Sequence, residues 1–366
     1  MDRKQQEVAA VVYLSVNDGS DTRINKEVDS LSRVAQVHFV GVQQEAGDRD
    51  FVKERAASVQ FVRGRRRSPV TAVRLVQLAR VVAGRVHPRS VHVVNEDLAL
   101  LMTPLLWRQR NVVVDVFDSL FLRRSFPKPV ASLLRRWVYG MASCVLVTDA
   151  ERAGLMPEGV RRKLRILENF PYAVREPVER VRSEGPLRIF AGGTLNRARG
   201  LTFLRGLLDE GDAVEAVMAG WLYDEEARDL SRHPKVRFHG TVGQREAMKL
   251  AADADFILCL YEPSNRNNIH ASPNKVYDAI QAGTPVIINR EARVSRFVEE
   301  QGLGLVVDRY GANDYAGVLR RLREVRRRFQ APEELRRRCT WEAIEHRLLE
   351  AHGLTGCERV GFGRSA

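Results

Sequence analysis

Short runs of small and β-branched apolar residues recur along the chain, each closed by polar or glycine positions and followed by an amphipathic stretch. In the first half these runs fall at 8–16, 36–42, 59–62, 90–94, 111–116, 144–148 and 164–167. Runs apolar on both faces fit parallel strands buried between helices, and helical periodicity over 22–34, 71–83 and 130–139 supplies the helices. The pattern lapses from 169 to 186, a proline-bearing and charged stretch that reads as a linker. It resumes with strand-like runs at 187–191, 213–219, 236–239, 256–260, 285–289 and 304–307. Alternation of this kind predicts an α/β protein with two doubly wound parallel sheets. The expected boundaries are a first domain over 1–170, a linker over 171–186, a second domain over 187–330, and C-terminal helices with a frayed tail over 331–366.

Composition supports this reading. At 366 residues, 44% hydrophobic and 29% charged, the chain can bury two cores. The net charge of +13 admits nucleic acid, an anionic membrane surface or an acidic small substrate. Much of the excess sits in arginine runs at 63–67, 135–136, 326–328 and 336–338, which read as solvated surface. No nucleic-acid recognition motif accompanies them, so a nucleic-acid partner is not expected. Cys144, Cys259, Cys339 and Cys357 are far apart and show neither metal spacing nor a disulfide framework. No signal-peptide pattern and no membrane-length apolar run is visible, which predicts a cytoplasmic protein with peripheral attachment to the inner face of the membrane left open.

Chemistry is expected in the loops after the strands, where open α/β sheets bind ligands. The stretch 267–288 reads as a polar loop, a helix start at Ser272 and Pro273, two turns, a stop at Gly283 and a buried strand. A helix start fed by Asn274, Ser272 and Lys275 suits a phosphate. Asp278, three residues past Lys275, can accept hydrogen bonds from sugar hydroxyls. After the run 187–191 comes a second polar loop, Gly192 to Gly200, whose Arg197 and Arg199 can clamp a diphosphate. By itself this is an ordinary strand-to-helix turn without the dinucleotide-binding glycine spacing. Asp253 and Asp255 imitate a metal-binding pair but precede a strand, so they read as a helix end and strand start with no metal.

Taken together, these loops resemble the donor-binding domain of retaining glycosyltransferases with the GT-B fold, glycosyltransferase family 4. The matching residues are Gly193, Thr194 and Leu195 with Arg199 to Leu201, Val217 to Gly220, Val236 to Val242, Ala252 to Asp255, and Ser272 to Ala279 running into Ala282 to Ile287. In the first half, Asp21 to Glu27 looks like the family's first loop and helix, and Leu167 to Asn169 like the strand end before its linker.

The resemblance implies two Rossmann-like domains facing a cleft, with a nucleoside-diphosphate sugar held by the second and an acceptor by the first. It implies that Arg199 and Lys275 neutralise the leaving diphosphate as catalytic cations. Gly193, Thr194, Arg197, Gly220, His270, Ser272, Pro273 and Asn274 complete the donor pocket. Gly240, Thr241 and Val242 face the base, and Asp278 holds the ribose. Asp18, Ser20, Asp21, Arg23, Asp118 and Ser119 are the acceptor candidates. No cofactor is implied. The sequence departs from the family at His270, which replaces the first of its two paired acidic residues, and at Phe117, where many relatives have histidine.

The expected activity is hexosyl transfer with retention to a glycan, lipid-linked or small-molecule acceptor, in cell-surface glycan or specialised-metabolite synthesis. Alternatives are a nucleotide-sugar epimerase of the same fold, and a catalytically degenerate or polyanion-binding relative. A membrane-linked acceptor suits the basic first domain and the segment 121–126.

Overall fold

The structure is a computed structural model that describes residues 8–43, 51–66, 68–174, 185–311 and 314–355. Most of the expected linker (175–184), the tail and Cys357 lie outside the described residues. The chain forms two compact units, one with the residues up to Glu168 and from Ile344 onward, the other Asn169–Ala343. The segment read as C-terminal helices is therefore divided between the two units.

The first unit holds a seven-stranded parallel sheet in the order β3-β2-β1-β4-β5-β6-β7. Its strands are β1 (Ala10–Leu14), β2 (Gln36–Gln43), β3 (Ser58–Arg63), β4 (Ser90–Val94), β5 (Val112–Val116), β6 (Cys144–Val147) and β7 (Leu164–Ile166). The central strands β4, β5 and β6 are buried at every position, which is why they read as mainly apolar runs. On one face Val12, Leu14, Val91, Val93, Val112, Val114 and Val116 pack against the helices Pro69–Val86 and Lys128–Met141.

Strand alternation turns Tyr13, His92 and Asp115 to the other face, where sequence reading showed only apolar strands. Glu27 and Arg23 from the helix Thr22–Ser32 meet them there. Tyr13 donates to Glu27 Oε2 at 2.6 Å, and Arg23 pairs with Glu27 Oε1 at 2.8 Å and with Asp115 Oδ2 at 2.9 Å. His92 and His352 share a hydrogen bond of 3.1 Å, and the His352 Nδ1 shares one of 2.7 Å with the Ser90 hydroxyl.

Burial holds the His352 imidazole at about 3. Burial, reinforced by His352 and Arg23, holds His92 well below the usual range. A histidine depressed in this way stays neutral when folded, whereas the unfolded chain takes up a proton below about pH 6.5. Its contribution therefore costs stability as the pH falls below that value. Glu27, raised by burial, has the opposite sign, because folding favours its protonated form and stability falls as pH rises through its folded value. The difference between the native chain and His352→Gln isolates the histidine. Between about pH 7 and about pH 5 the native chain should lose about 2 kcal/mol more than the variant in urea unfolding. Equal losses would show that His352 does not titrate on unfolding.

The second unit has a six-stranded parallel sheet in the order β10-β9-β8-β11-β12-β13. Its strands are β8 (Leu187–Leu195), β9 (Val214–Leu222), β10 (Val236–Phe238), β11 (Phe256–Leu258), β12 (Val286–Asn289) and β13 (Gly304–Val307). One core joins Ile189, Met218, Phe256 and Ile287 of the sheet to the helices Leu201–Asp209 and Tyr315–Arg328. Among the described residues Cys144, Cys259 and Cys339 are buried, and no helix is long and apolar enough to cross a membrane.

Candidate functional site

The candidate site lies at the carboxyl ends of the strands of the second unit. There β8 and β9 run side by side with Gly193 opposite Gly220, and the Gly220 N–H donates to the Gly240 carbonyl at 2.7 Å. A Cβ on Gly220 would sit 1.8 Å from the Gly193 carbonyl oxygen, so this close backbone approach admits only glycine. The glycines leave the strand ends bare of side chains. Thr194 and Thr241 are exposed beside them, Val242 is half-buried, and the Asn196 Oδ1 is buried without a hydrogen-bond partner.

Arg197–Arg199 form one 3₁₀ turn, locked on both sides. Asp224 Oδ2 accepts from the Arg197 N–H at 2.8 Å, and the Ala198 carbonyl accepts from Glu262 N–H at 3.0 Å. The Tyr310 hydroxyl donates to the Arg197 carbonyl and accepts from Gly200 N–H. The Arg197 side chain is exposed. The Arg199 guanidinium instead lies 3.9 Å over the Tyr261 ring, with its Nη1 buried and without a hydrogen-bond partner among the described residues. Gly200 closes the turn at φ +87°, and a Cβ there would meet Leu260 Cβ at 2.8 Å. Gly200→Ala should cost about 1–2 kcal/mol in unfolding and tilt Arg199 off Tyr261. An unchanged melting midpoint would show that the turn relaxes freely.

Across from this loop, the stretch from 267 onward folds much as its residues predict. Asn265 caps the short helix Arg266–Ile269, and half-buried His270 closes it. Pro273 occupies the N-cap position of the helix Asn274–Ala282, and Gly283 ends that helix at φ +64°. Asn274 uses its Oδ1 to accept from Asn169 Nδ2 at 2.7 Å, which ties the helix start to the beginning of the unit. Ser272 Oγ is buried without a hydrogen-bond partner among the described residues.

Lys275 is half-buried and makes no ion pair or hydrogen bond among the described residues. Burial, followed by the Arg199 charge, holds its ammonium below the usual lysine range, while Asp278 one turn on pulls the other way. The Cys259 thiol behind the two cations is pushed up to about 12 by burial and stays uncharged. Arg199 and Lys275 thus act on one another, and among the described residues neither makes an ion pair with a carboxylate. Two cations held together in this way are suited to a multiply charged anion.

Sequence reading missed Tyr261, Tyr310 and Asn196. Tyr261 and Tyr310 lie just after β11 and β13, so position at a strand's carboxyl end was the signal available for both.

In the first unit the candidate residues divide. Asp18 Oδ1 accepts from Ser20 N–H at 3.1 Å, and Asp21 Oδ1 caps its helix by accepting from Arg23 N–H at 2.8 Å. Asp118 is exposed. Arg23 and Ser119 face inward: Arg23 is 1% exposed, and the Ser119 hydroxyl donates to buried Glu96 at 2.9 Å. Both act here as internal ties. Phe121 and Leu122 of the segment 121–126 are also buried.

Glu27, His92 and Asp115 could in principle ligate a cation, since their ligand atoms lie within 4.8 Å of one another. The Arg23 guanidinium already bonds both carboxylates from the centre of the cluster, so these residues do not fit a metal ion. In the second unit Asp255 accepts from Arg188 N–H at 2.9 Å and pairs with Arg326 at 3.3 Å, while Asp253 caps the helix Gln244–Ala252.

No protein-family profile and no curated protein matches the chain. Solved structures do. The chain superposes on sucrose-phosphate synthase from Thermosynechococcus elongatus with a TM-score of 0.71 at 12% identity, over 94% of this chain and 98% of that one. Anabaena HepE, solved with UDP and glucose, gives 0.68 at 12% identity over 94% and 99%. The lipopolysaccharide outer core galactosyltransferase WaaB gives 0.64 at 12% identity over 94% and 98%. At this identity the likeness concerns the fold, and it agrees with the two parallel sheets described above. The chain has the GT-B fold, built of two Rossmann-like parallel-sheet units.

Proposed function

We propose that the protein is a retaining glycosyltransferase of the family 4 type that moves a sugar from a nucleoside diphosphate to an acceptor hydroxyl or amine. The observation that carries this reading is the pair of cations Arg199 and Lys275 at the strand ends of the second unit, which make no ion pair with a carboxylate among the described residues. In this reading the pair binds the diphosphate and neutralises the charge that grows on it as the bond to the sugar breaks. The bare backbone at Gly193 and Gly220 admits the donor closely, Gly240 to Val242 meet the base, and Asp278 binds the ribose. Ser272, Pro273 and Asn274 present the helix start to phosphate or sugar, and His270 meets the sugar where relatives carry a carboxylate.

The anomeric carbon loses its bond to the phosphate oxygen and gains one to the acceptor on the same face. The acceptor's proton passes to the departing phosphate oxygen. Asp18, Ser20, Asp21 and Asp118 are the proposed acceptor contacts, with Arg23 and Ser119 supporting them from within. The Anabaena HepE structures contain UDP and UDP-glucose, which makes a uridine diphosphate sugar the first donor to try. We place the reaction in cell-surface glycan or specialised-metabolite synthesis.

Calorimetric titration with UDP, GDP and ADP tests the site. One diphosphate should bind tightly, and its heat should vanish in Arg199→Ala. A flat titration with all three overturns the reading. With an acceptor in hand, proton NMR of the product reads retention directly.

A further inference from the structure

The first unit carries an apolar surface that the proposed transfer does not use. The helix Lys128–Met141 buries Val138 and Tyr139. It turns Val130, Leu133 and Trp137 outward, 42%, 58% and 44% exposed. Their spacing of three and then four residues sets them in one stripe. Trp107, 69% exposed, follows the short helix Thr103–Leu106. Its ring stacks on that of Trp137 with centroids 5.9 Å apart and planes 16° apart. An open groove of about 530 Å³ runs along them, lined by Leu106, Trp107, Leu133, Arg136, Trp137 and Met141. Two large aromatic rings grouped with aliphatic side chains at the surface mark a binding face.

The charge within the segments that form this face is of one sign. Residues 98–114 and 119–148 contain seven arginines and lysines and no aspartate or glutamate. Arg123 pairs with Asp97, and Arg135 lies over the Phe121 ring. Arg108, Arg110, Arg124, Lys128 and Arg136 are exposed and make no ion pair among the described residues.

We propose that this face docks the first unit onto an anionic bilayer. Indole rings settle at headgroup depth, aliphatic side chains enter the acyl boundary, and unpaired arginines meet lipid phosphates. A second copy of the chain fits less well, because two such faces would bring their cations together with no carboxylates between them. The buried Phe121 and Leu122 move the expected membrane contact from the segment 121–126 to the helix that follows it. The inference stands on this surface alone and does not depend on the reaction.

Sedimentation of the full chain with vesicles of phosphatidylcholine, with and without phosphatidylglycerol, tests it. The native chain should pellet with the anionic vesicles only. The double variant Trp107→Ser, Trp137→Ser, which changes no charge, should bind them about tenfold more weakly or worse. Arg136→Glu should weaken binding more than Arg323→Glu, an equal charge change on the exposed side of the helix Tyr315–Arg328. Brominated acyl chains should quench tryptophan emission in the native chain and not in the double variant, with circular dichroism confirming that both are folded. Unaltered binding by the double variant would reduce the effect to general charge attraction and overturn the proposal. So would a native dimer in gel filtration that the double variant abolishes.

Discussion

Arg199→Ala is expected to lower turnover with the best donor by about a hundredfold to a thousandfold, the range seen when one preorganised donor to a developing anion is removed. Arg199 combines two features that make the loss large. Its guanidinium is held in place before any ligand arrives, stacked 3.9 Å over Tyr261 on a turn fixed by Tyr310, Asp224 and Glu262. It also has a buried N–H group with no hydrogen-bond partner among the described residues, to which a phosphate oxygen can bind without breaking an existing bond. Arg199→Lys keeps the charge and loses the planar stack and fork, so it should recover only part of the rate. Lys275→Ala should reduce kcat as well. Because the two cations act on one another, the double variant should lose less than the product of the single losses. The check is kcat and KM measured separately in variants whose melting curves match the native chain. If kcat/KM with the best donor is unchanged in Arg199→Ala, the cation pair does not serve the diphosphate.

Much of this architecture was legible in the sequence, for a physical reason. Parallel strands covered on both faces favour mainly apolar runs, and the runs at 90–94 and 304–307 became β4 and β13 with the same limits. The run read at 8–16 narrowed to Ala10–Leu14, with Ala9 and Ser15 at its ends each still making one backbone hydrogen bond to β2. The helix start at Pro273 and its stop at Gly283 were legible because fixed and positive φ angles restrict the residue type.

Partners distant in sequence left no local mark. Arg23 reads as a polar residue in the first turn of a helix, and its countercharge Asp115 lies 92 positions away inside an apolar run. Ser119 reads as a loop hydroxyl, but Glu96 stands 23 positions earlier to receive it. The stacking of Arg199 on Tyr261 joins two loops that follow different strands, and only the parallel register of β8 and β11 brings them together. What the sequence conveyed was the chemistry at each strand end, and what it withheld was which of those residues turn inward.

Arg23→Ala should destabilise the first unit by about 3–5 kcal/mol, the cost of leaving buried carboxylates without their cation. Burial opposes the Arg23 charge, and Asp115 and Glu27 outweigh it, holding the guanidinium above the ordinary arginine range. The same guanidinium donates to the Leu167 carbonyl at 2.7 Å, so it also fastens the chain just past β7 to the sheet. Without it Asp115 and Glu27 face each other at the centre of the unit, with Tyr13 still donating to one of them. For a unit of this size the loss corresponds to a fall of about 10 °C in melting midpoint. Protonating Glu27, which burial already pushes above the usual carboxylate range, relieves the repulsion, so Arg23→Ala should regain part of its deficit as the pH falls toward about 5, once the shared histidine effect is subtracted. Arg23→Ala combined with Asp115→Asn should be more stable than Arg23→Ala alone, since one of the two charges is gone. The same deficit in the single and double variants would mean that Arg23 stabilises the unit by packing and its bond to Leu167, and that its charge contributes little.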